Sequence, residues 1–212
     1  MTITKILNKI KPSKSKSTVI YVHGARPIGS DSQLIQMIIL QMYKLLNVVP
    51  NYSNTYPSWV NSLSNDGHDV IIFKWSGKIW PWQISRGANA LATLVEERQE
   101  PVHVVSHSLG TWVAIQASLK TSRIKSITSV CGVYRQFDKK IPFTQIVSKS
   151  DRLERWGNFI ANVGKTITSQ NRIFIPHRRH DEFSNNFALP KRKFTHKRFS
   201  DLLLYLLKRS NG

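Results

Sequence analysis

Val102-His-Val-Val-Ser-His-Ser-Leu-Gly-Thr-Trp-Val-Ala114 decides the fold. Its first half is an apolar run of β-favouring residues that does not alternate with polar ones, the pattern of a strand covered on both faces. Its second half is an apolar helix. Between them lies Ser106-x-Ser108-x-Gly110, a variant of G-x-S-x-G. Such a strand–turn–helix junction brings two backbones almost into contact, so small residues are needed two before and two after the central serine. Gly110 meets that demand, and Ser106 replaces the usual glycine with a small polar residue. The tight turn lifts the Ser108 hydroxyl above the sheet edge. The start of the helix offers a backbone N–H and a favourable dipole to an oxyanion.

Working outward, similar runs recur at Thr18–His23, at Val70–Trp75 after the turn Asn65-Asp-Gly67, at Ile124–Val130, at Phe143–Val147 and at Arg172–Ile175, which Pro176 stops. Helical patterns fall at Gln33–Leu46, Ser85–Gln99, Leu109–Lys120, Arg152–Thr168 and Phe199–Lys208. Strands alternating with helices predict βαβ units in a three-layer α/β/α sandwich with a mostly parallel sheet of about six strands. Ligands are then expected beyond the carboxyl ends of the strands. Residues 18–212 read as one domain and residues 1–17 as a basic leader, with Ile3, Ile6, Leu7 and Ile10 at helical spacing before Pro12.

Composition narrows the class. The 212 residues carry 31 Lys and Arg against 12 Asp and Glu, a formal charge of +19, with 41% hydrophobic residues. That is too apolar for a disordered basic tail. The single cysteine, Cys131, rules out a disulfide-stapled scaffold, and no run approaches the length of a membrane-spanning helix. With no signal-peptide pattern at the start, a cytoplasmic chain is expected, held peripherally at a membrane if its charge serves that purpose. A pI near 10.4 favours an anionic surface, either phospholipid headgroups or nucleic acid. The run Lys191-Arg-Lys-Phe-Thr-His-Lys-Arg198 supports the nucleic-acid alternative, but no base-reading motif accompanies it. No metal-ligand spacing, phosphate loop or dinucleotide fingerprint is present, so no metal and no cofactor are expected.

Around Ser108 the sequence resembles the α/β-hydrolase superfamily, as a small serine esterase or lipase-like member without a large cap. Three further segments match that layout in order. Tyr21-Val-His-Gly-Ala25 resembles the His-Gly oxyanion loop, Val147-Ser-Lys-Ser-Asp151 the strand-end loop with the acid, and Ile175-Pro-His-Arg-Arg-His180 the last loop with the histidine. The resemblance implies a triad of Ser108, Asp151 and His180, with oxyanion donors from the N–H of Ala25 or Arg26 and of Leu109. Asp138 and His177 are the alternatives for acid and base. His107, beside the nucleophile, is expected to pack or to line the pocket, and His23 to organise its loop. Glu154 and Asp181 read as surface charges. Trp80 and Trp82, after a strand end, either overhang the site or cover the core.

The implied chemistry is hydrolysis of carboxylic esters through an acyl-enzyme, with a small-molecule or lipid substrate. Thioesters and amides use the same machinery. A non-catalytic binding protein on the same fold is the alternative. Oligomeric state is not read from the residues.

Overall fold

The computed structural model describes residues 3–6, 17–25, 41, 57–134, 141–162, 171–176, 178, 183, 188–189 and 196–209. In chain order the elements are β1 (Ile3–Ile6), β2 (Thr18–Val22), α1 (Val60–Asn65), β3 (Asp69–Phe73), α2 (Pro81–Glu96), β4 (Val102–His107), α3 (Gly110–Ser118), β5 (Ile124–Val130), β6 (Phe143–Val147), α4 (Arg152–Ala161), β7 (Asn171–Phe174) and α5 (Phe199–Arg209).

All six strands expected from the sequence form and pair in parallel, in the order β3-β2-β4-β5-β6-β7. A seventh, β1, adds antiparallel to β3, with Ile3 opposite Phe73 and Ile6 opposite Val70. This part of the basic leader is therefore sheet, although its isoleucines are spaced as in a helix. Pairing with an open sheet edge decided the conformation over local periodicity.

The central strands are mostly apolar because both faces are covered. Ile20, Val22, Ile71, Phe73, Val104 and Ile127 face one layer, with Ile84, Leu91 and Val95 of α2 and Val113 and Ala117 of α3. Val19, Tyr21, Val70, Ile72 and Val105 face the other, with Val60 and Leu63 of α1 and Phe199, Leu202, Leu203 and Leu207 of α5. Neighbours along β2 thus serve opposite cores, as the two-residue repeat of a strand requires. α2 begins earlier than its apolar pattern suggested, with Trp80 at the N-cap and Pro81 in the first turn, where a missing N–H costs nothing.

α4 ends at Ala161, and residues 163–170 lie outside the described residues. Of the helix expected over Gln33–Leu46, Gln41 is described and is helical, and the rest lies outside the described residues. α1 was not expected from the sequence. The architecture is the expected three-layer α/β/α sandwich with a mostly parallel sheet, and Val130 and Phe143 are separated by too short a stretch for a large cap there.

Candidate active site

The parallel strands end at one rim. The register Val22↔Ser106↔Ser129 and Val130↔Ile146↔Ile173 sets the carboxyl ends of β2, β4, β5, β6 and β7 side by side. Residues just beyond those ends converge, and they include Gly24, Ala25, Ser108, Cys131, Ser148 and Asp151.

Ser108 sits at the β4–α3 junction with φ 51°, in the left-handed region that side chains other than glycine avoid. Three backbone hydrogen bonds fix it. Its N–H donates to the Val130 carbonyl at 3.1 Å, and its own carbonyl accepts from Thr111 and Val133 at 3.0 Å each. A Cβ on Gly110 would stand 2.4 Å from the His23 carbonyl oxygen, and one on Gly24 would stand 2.7 Å from the Ser108 Cβ. The strand–helix turn is therefore tight, with glycine where two backbones meet.

Ser106, the departure from the usual pattern, is fully buried and accommodated. Its hydroxyl lies 3.1 Å from Thr111 Oγ1, which lies 3.1 Å from Ser129 Oγ. A chain of three hydroxyls thus supports the turn from below.

The rim around Ser108 is polar at the backbone. Leu109, the N-cap of α3, has no backbone acceptor for its N–H among the described residues, while Thr111 and Trp112 donate to Ser108 and Leu109. An N–H at the start of a helix is a ready donor to an anion. Ala25 follows Gly24 and is half-buried, and Arg26 lies outside the described residues.

His23 is committed to holding its loop. Its Nδ1 lies 2.7 Å from the Gly24 carbonyl, its Nε2 accepts from the Trp75 backbone N–H at 3.3 Å, and the Trp75 indole N–H donates to the His23 carbonyl at 2.9 Å. With one nitrogen accepting, the other carries the proton and donates to Gly24, so the ring is a neutral strut. His107 is half-buried, and its Nδ1 would lie 3.4 Å from a Cβ on Gly24, so its ring lies beside the same turn. His103 is buried against Ser126 at 2.8 Å, and His68 against Ser17 at 2.8 Å.

Asp151 is buried, with extended backbone, at the N-cap of α4, where Oδ1 accepts from the Glu154 N–H at 2.9 Å. Cys131 is buried beside the same carboxylate, a neighbour that the sequence did not suggest. Burial pushes the thiol well up from its ordinary range, and the charge of Asp151 adds to the effect, so Cys131 is neutral. Cys131 directly follows Val130, the residue that holds the Ser108 amide, and has φ 48°. Ser108 is thus tied to the last residue of β5, and Asp151 lies beside the residue that follows it.

The last loop is tied to the acid loop. Ser148 Oγ accepts from the Ser150 N–H at 3.2 Å and from the Arg178 N–H at 3.1 Å, and the Ile175 N–H donates to Val147 at 2.8 Å. His177 and His180 flank Arg178 but lie outside the described residues, as does Asp138.

Glu154 corrects an expectation. It is buried rather than a surface charge, and its Oε1 accepts from Gln145 Nε2 at 3.0 Å and Asn158 Nδ2 at 2.8 Å, with an Arg172 nitrogen at 3.6 Å. It faces inward because α4 turns its polar side to the protein, a choice of side that the helical period leaves open. Trp80 and Trp82 stack face to face at 5.1 Å, and Trp82 is 60% exposed, so it does not cover the core.

Among the described residues, no group of three or more His, Cys, Asp and Glu side chains comes together to hold a metal ion. Nor is any described helix long and apolar enough to cross a membrane.

No family model and no curated protein sequence matches the chain. Solved structures do. An α/β hydrolase enzyme from the metagenome of sediments of the Mar Chica lagoon, Morocco, is similar at a TM-score of 0.56 and 13% identity, over 94% of each chain. A sugar hydrolase, YeeB, from Lactococcus lactis is similar at 0.55 and 10% identity, over 99% of this chain and 100% of that one. The Pyrococcus furiosus esterase Pf2001 is similar at 0.52 and 14% identity, over 92% of this chain and 81% of that one. At such identities the likeness is one of fold.

Proposed function

We propose that the chain is a serine hydrolase acting on carboxylic esters. The observation that carries this reading is the backbone of Ser108, a non-glycine residue at φ 51° between a buried strand and a helix. Strain of this kind costs about 1–3 kcal/mol and persists where it serves a site. Here it presents a hydroxyl at the rim where the acid loop and the last loop are tied together.

In the proposed cycle His180, on the loop anchored by Arg178, takes the Ser108 proton as the oxygen attacks the ester carbonyl. Asp151 holds the imidazole tautomer and stabilises the imidazolium, using the oxygen that does not cap α4. The N–H groups of Leu109 and of Ala25 or Arg26 bind the tetrahedral oxyanion, an effect worth about 3–4 kcal/mol per donor in comparable sites. His180 returns the proton to the departing alkoxide. Water, activated by the same imidazole, then attacks the acyl-enzyme and regenerates Ser108. Trp80 and Trp82 wall the substrate side. The β5–β6 connection is too short for a large cap there, which suits small-molecule or lipid esters that enter from the surface.

A fluorophosphonate probe tests the reading. It should form a covalent adduct on Ser108, located by peptide mass spectrometry and absent in Ser108→Ala. Ester hydrolysis should vanish in the same variant. Hydrolysis by Ser108→Ala at the wild-type rate removes the proposed mechanism.

A further inference from the structure

α4 is built inside out. Its inward stripe is Asp151, Glu154, Asn158 and Asn162, counting both caps, and all four are buried. Each is satisfied. Asn158 Nδ2 donates to the Gly132 carbonyl at 2.8 Å and its Oδ1 accepts from the Tyr134 N–H at 3.1 Å, while Asn162 Nδ2 donates to the Tyr134 carbonyl at 2.7 Å. The outward side carries Trp156, Phe159 and Ile160, which are 56%, 65% and 60% exposed. A rim helix of a globular protein ordinarily has these faces the other way round. Polar groups fasten this helix, so its large apolar side chains are left for another task.

The surroundings of the face are basic. Arg152 and Arg155 are exposed on the same helix, and the one acid of α4, Glu154, is buried. On the neighbouring edge strand β7, Phe174 is 47% exposed, with the Arg172 guanidinium 5.7 Å from its ring centre. Arg172 also reaches Glu154, and Phe174 shares its side of the strand, so the β7 ring lies on the same side of the sheet as α4.

We propose that this face docks on an anionic lipid bilayer, with Trp156, Phe159 and Ile160 entering the interface and Arg152 and Arg155 meeting the headgroups. Aromatic and aliphatic side chains flanked by arginine form the pattern of an interfacial helix. Charge selects the occupant. A second copy would bring +19 against +19. A single nucleic-acid strand is disfavoured because the Trp156 and Phe159 rings meet edge to face at 83°, so they cannot both stack on successive bases. The docking stands on its own. Only its use, delivering lipid-borne esters to a site whose acid begins this helix, rests on the hydrolase reading.

The test is co-sedimentation of the full chain with phosphatidylcholine vesicles, with and without phosphatidylserine. Wild type should bind the anionic vesicles and leave the neutral ones largely unbound. The triple variant Trp156→Ser, Phe159→Ser, Ile160→Ser should bind roughly tenfold more weakly or worse. Arg152→Gln with Arg155→Gln should cost roughly fivefold per arginine at low salt, and less as salt rises. Ser108→Ala should bind like wild type, and the triple variant should keep its rate on a short soluble ester, so loss of docking and loss of catalysis are read separately. Brominated lipid should quench wild-type fluorescence more than that of Trp156→Phe, a comparison that does not depend on the triple variant folding. The proposal is overturned by vesicle binding unchanged in the triple variant, by equal quenching of wild type and Trp156→Phe, by a dimer that the triple substitution dissolves, or by oligonucleotides rather than vesicles shielding Trp156.

Discussion

The Gly110 backbone lies against the His23 carbonyl, so close that a methyl group at position 110 would fall 2.4 Å from that oxygen and 2.5 Å from the Val22 carbonyl oxygen. The obstacle is backbone on both sides, which cannot swing away as a side chain would. Gly110→Ala must therefore part α3 from the end of β2. The expected destabilisation is about 1–3 kcal/mol or more, read from urea unfolding. In the proposed mechanism, fluorophosphonate labelling of Ser108 should slow in the fraction that still folds, because the Ser108 turn and the His23–Ala25 loop are pushed apart.

The strain at Ser108 separates stability from activity. Ser108→Ala and Ser108→Gly should both lose ester hydrolysis, by about a thousandfold or more. They should differ in stability. Glycine adopts φ 51° without a Cβ penalty, so the glycine variant should be more stable than the alanine variant by about 1 kcal/mol, even after its greater freedom in the unfolded chain. Equal midpoints of chemical denaturation would argue against a strained turn.

The parallel sheet was legible because strands buried on both faces read as near-continuous apolar runs, as Val19 to Val22 and Val70 to Phe73 do. The tight turn at Ser108 was legible because its constraint is local: a serine and a glycine two residues apart between a strand and a helix. β1 was not, because its conformation comes from β3, far along the chain, and not from its own periodicity. Glu154 was misread for a related reason. The spacing of Asp151, Glu154, Asn158 and Asn162 defines one helical stripe, but only the polar groups of Gly132, Tyr134 and Gln145 opposite it make that stripe the inner one. Cys131 gave no sign of its nearness to Asp151, since that depends on a left-handed φ and on the meeting of two loops.

The hydroxyl chain beneath the Ser108 turn has a middle and two ends, and they should not be equivalent. Ser106→Ala leaves Thr111 bonded to Ser129, so it should cost only about 1 kcal/mol. Thr111→Val takes a partner from both Ser106 and Ser129, two fully buried groups, and should cost about 2–3 kcal/mol. Unfolding free energies of the two variants, compared directly, check the order.

Tyr134 predicts an alkaline transition. Its phenol donates to Gln145 Oε1 at 3.3 Å, and burial pushes its pKa from 10.0 up to about 12, with the Arg172 charge opposing the rise and the Glu154 charge adding to it. The proton is held more tightly in the folded chain than in the unfolded one. The stabilisation is therefore complete below pH 10 and is lost as the pH rises through about 12. Unfolding free energy should fall across that window more steeply for wild type than for Tyr134→Phe. Parallel curves for the two proteins would exclude Tyr134 as the source.

Ser148 is the clasp between the acid loop and the last loop, and its removal should be felt in turnover before binding. Its buried hydroxyl accepts from the Ser150 and Arg178 amides, and Ser148→Ala leaves both without that acceptor, at a cost of about 1–3 kcal/mol. The more telling effect is positional. Arg178 lies within two residues of His180, which in the proposed triad must sit within hydrogen-bonding reach of both Ser108 and Asp151. A misplacement of about 1 Å at such a centre can cost on the order of a hundredfold in rate. Ser148→Ala should therefore lower kcat by roughly ten- to a hundredfold with KM nearly unchanged, since the proposed substrate contacts at Trp80 and Trp82 are untouched. Fluorophosphonate labelling should slow in parallel, because the probe also needs the base. A folded Ser148→Ala protein with wild-type kcat would show that the last loop holds its histidine without this tie.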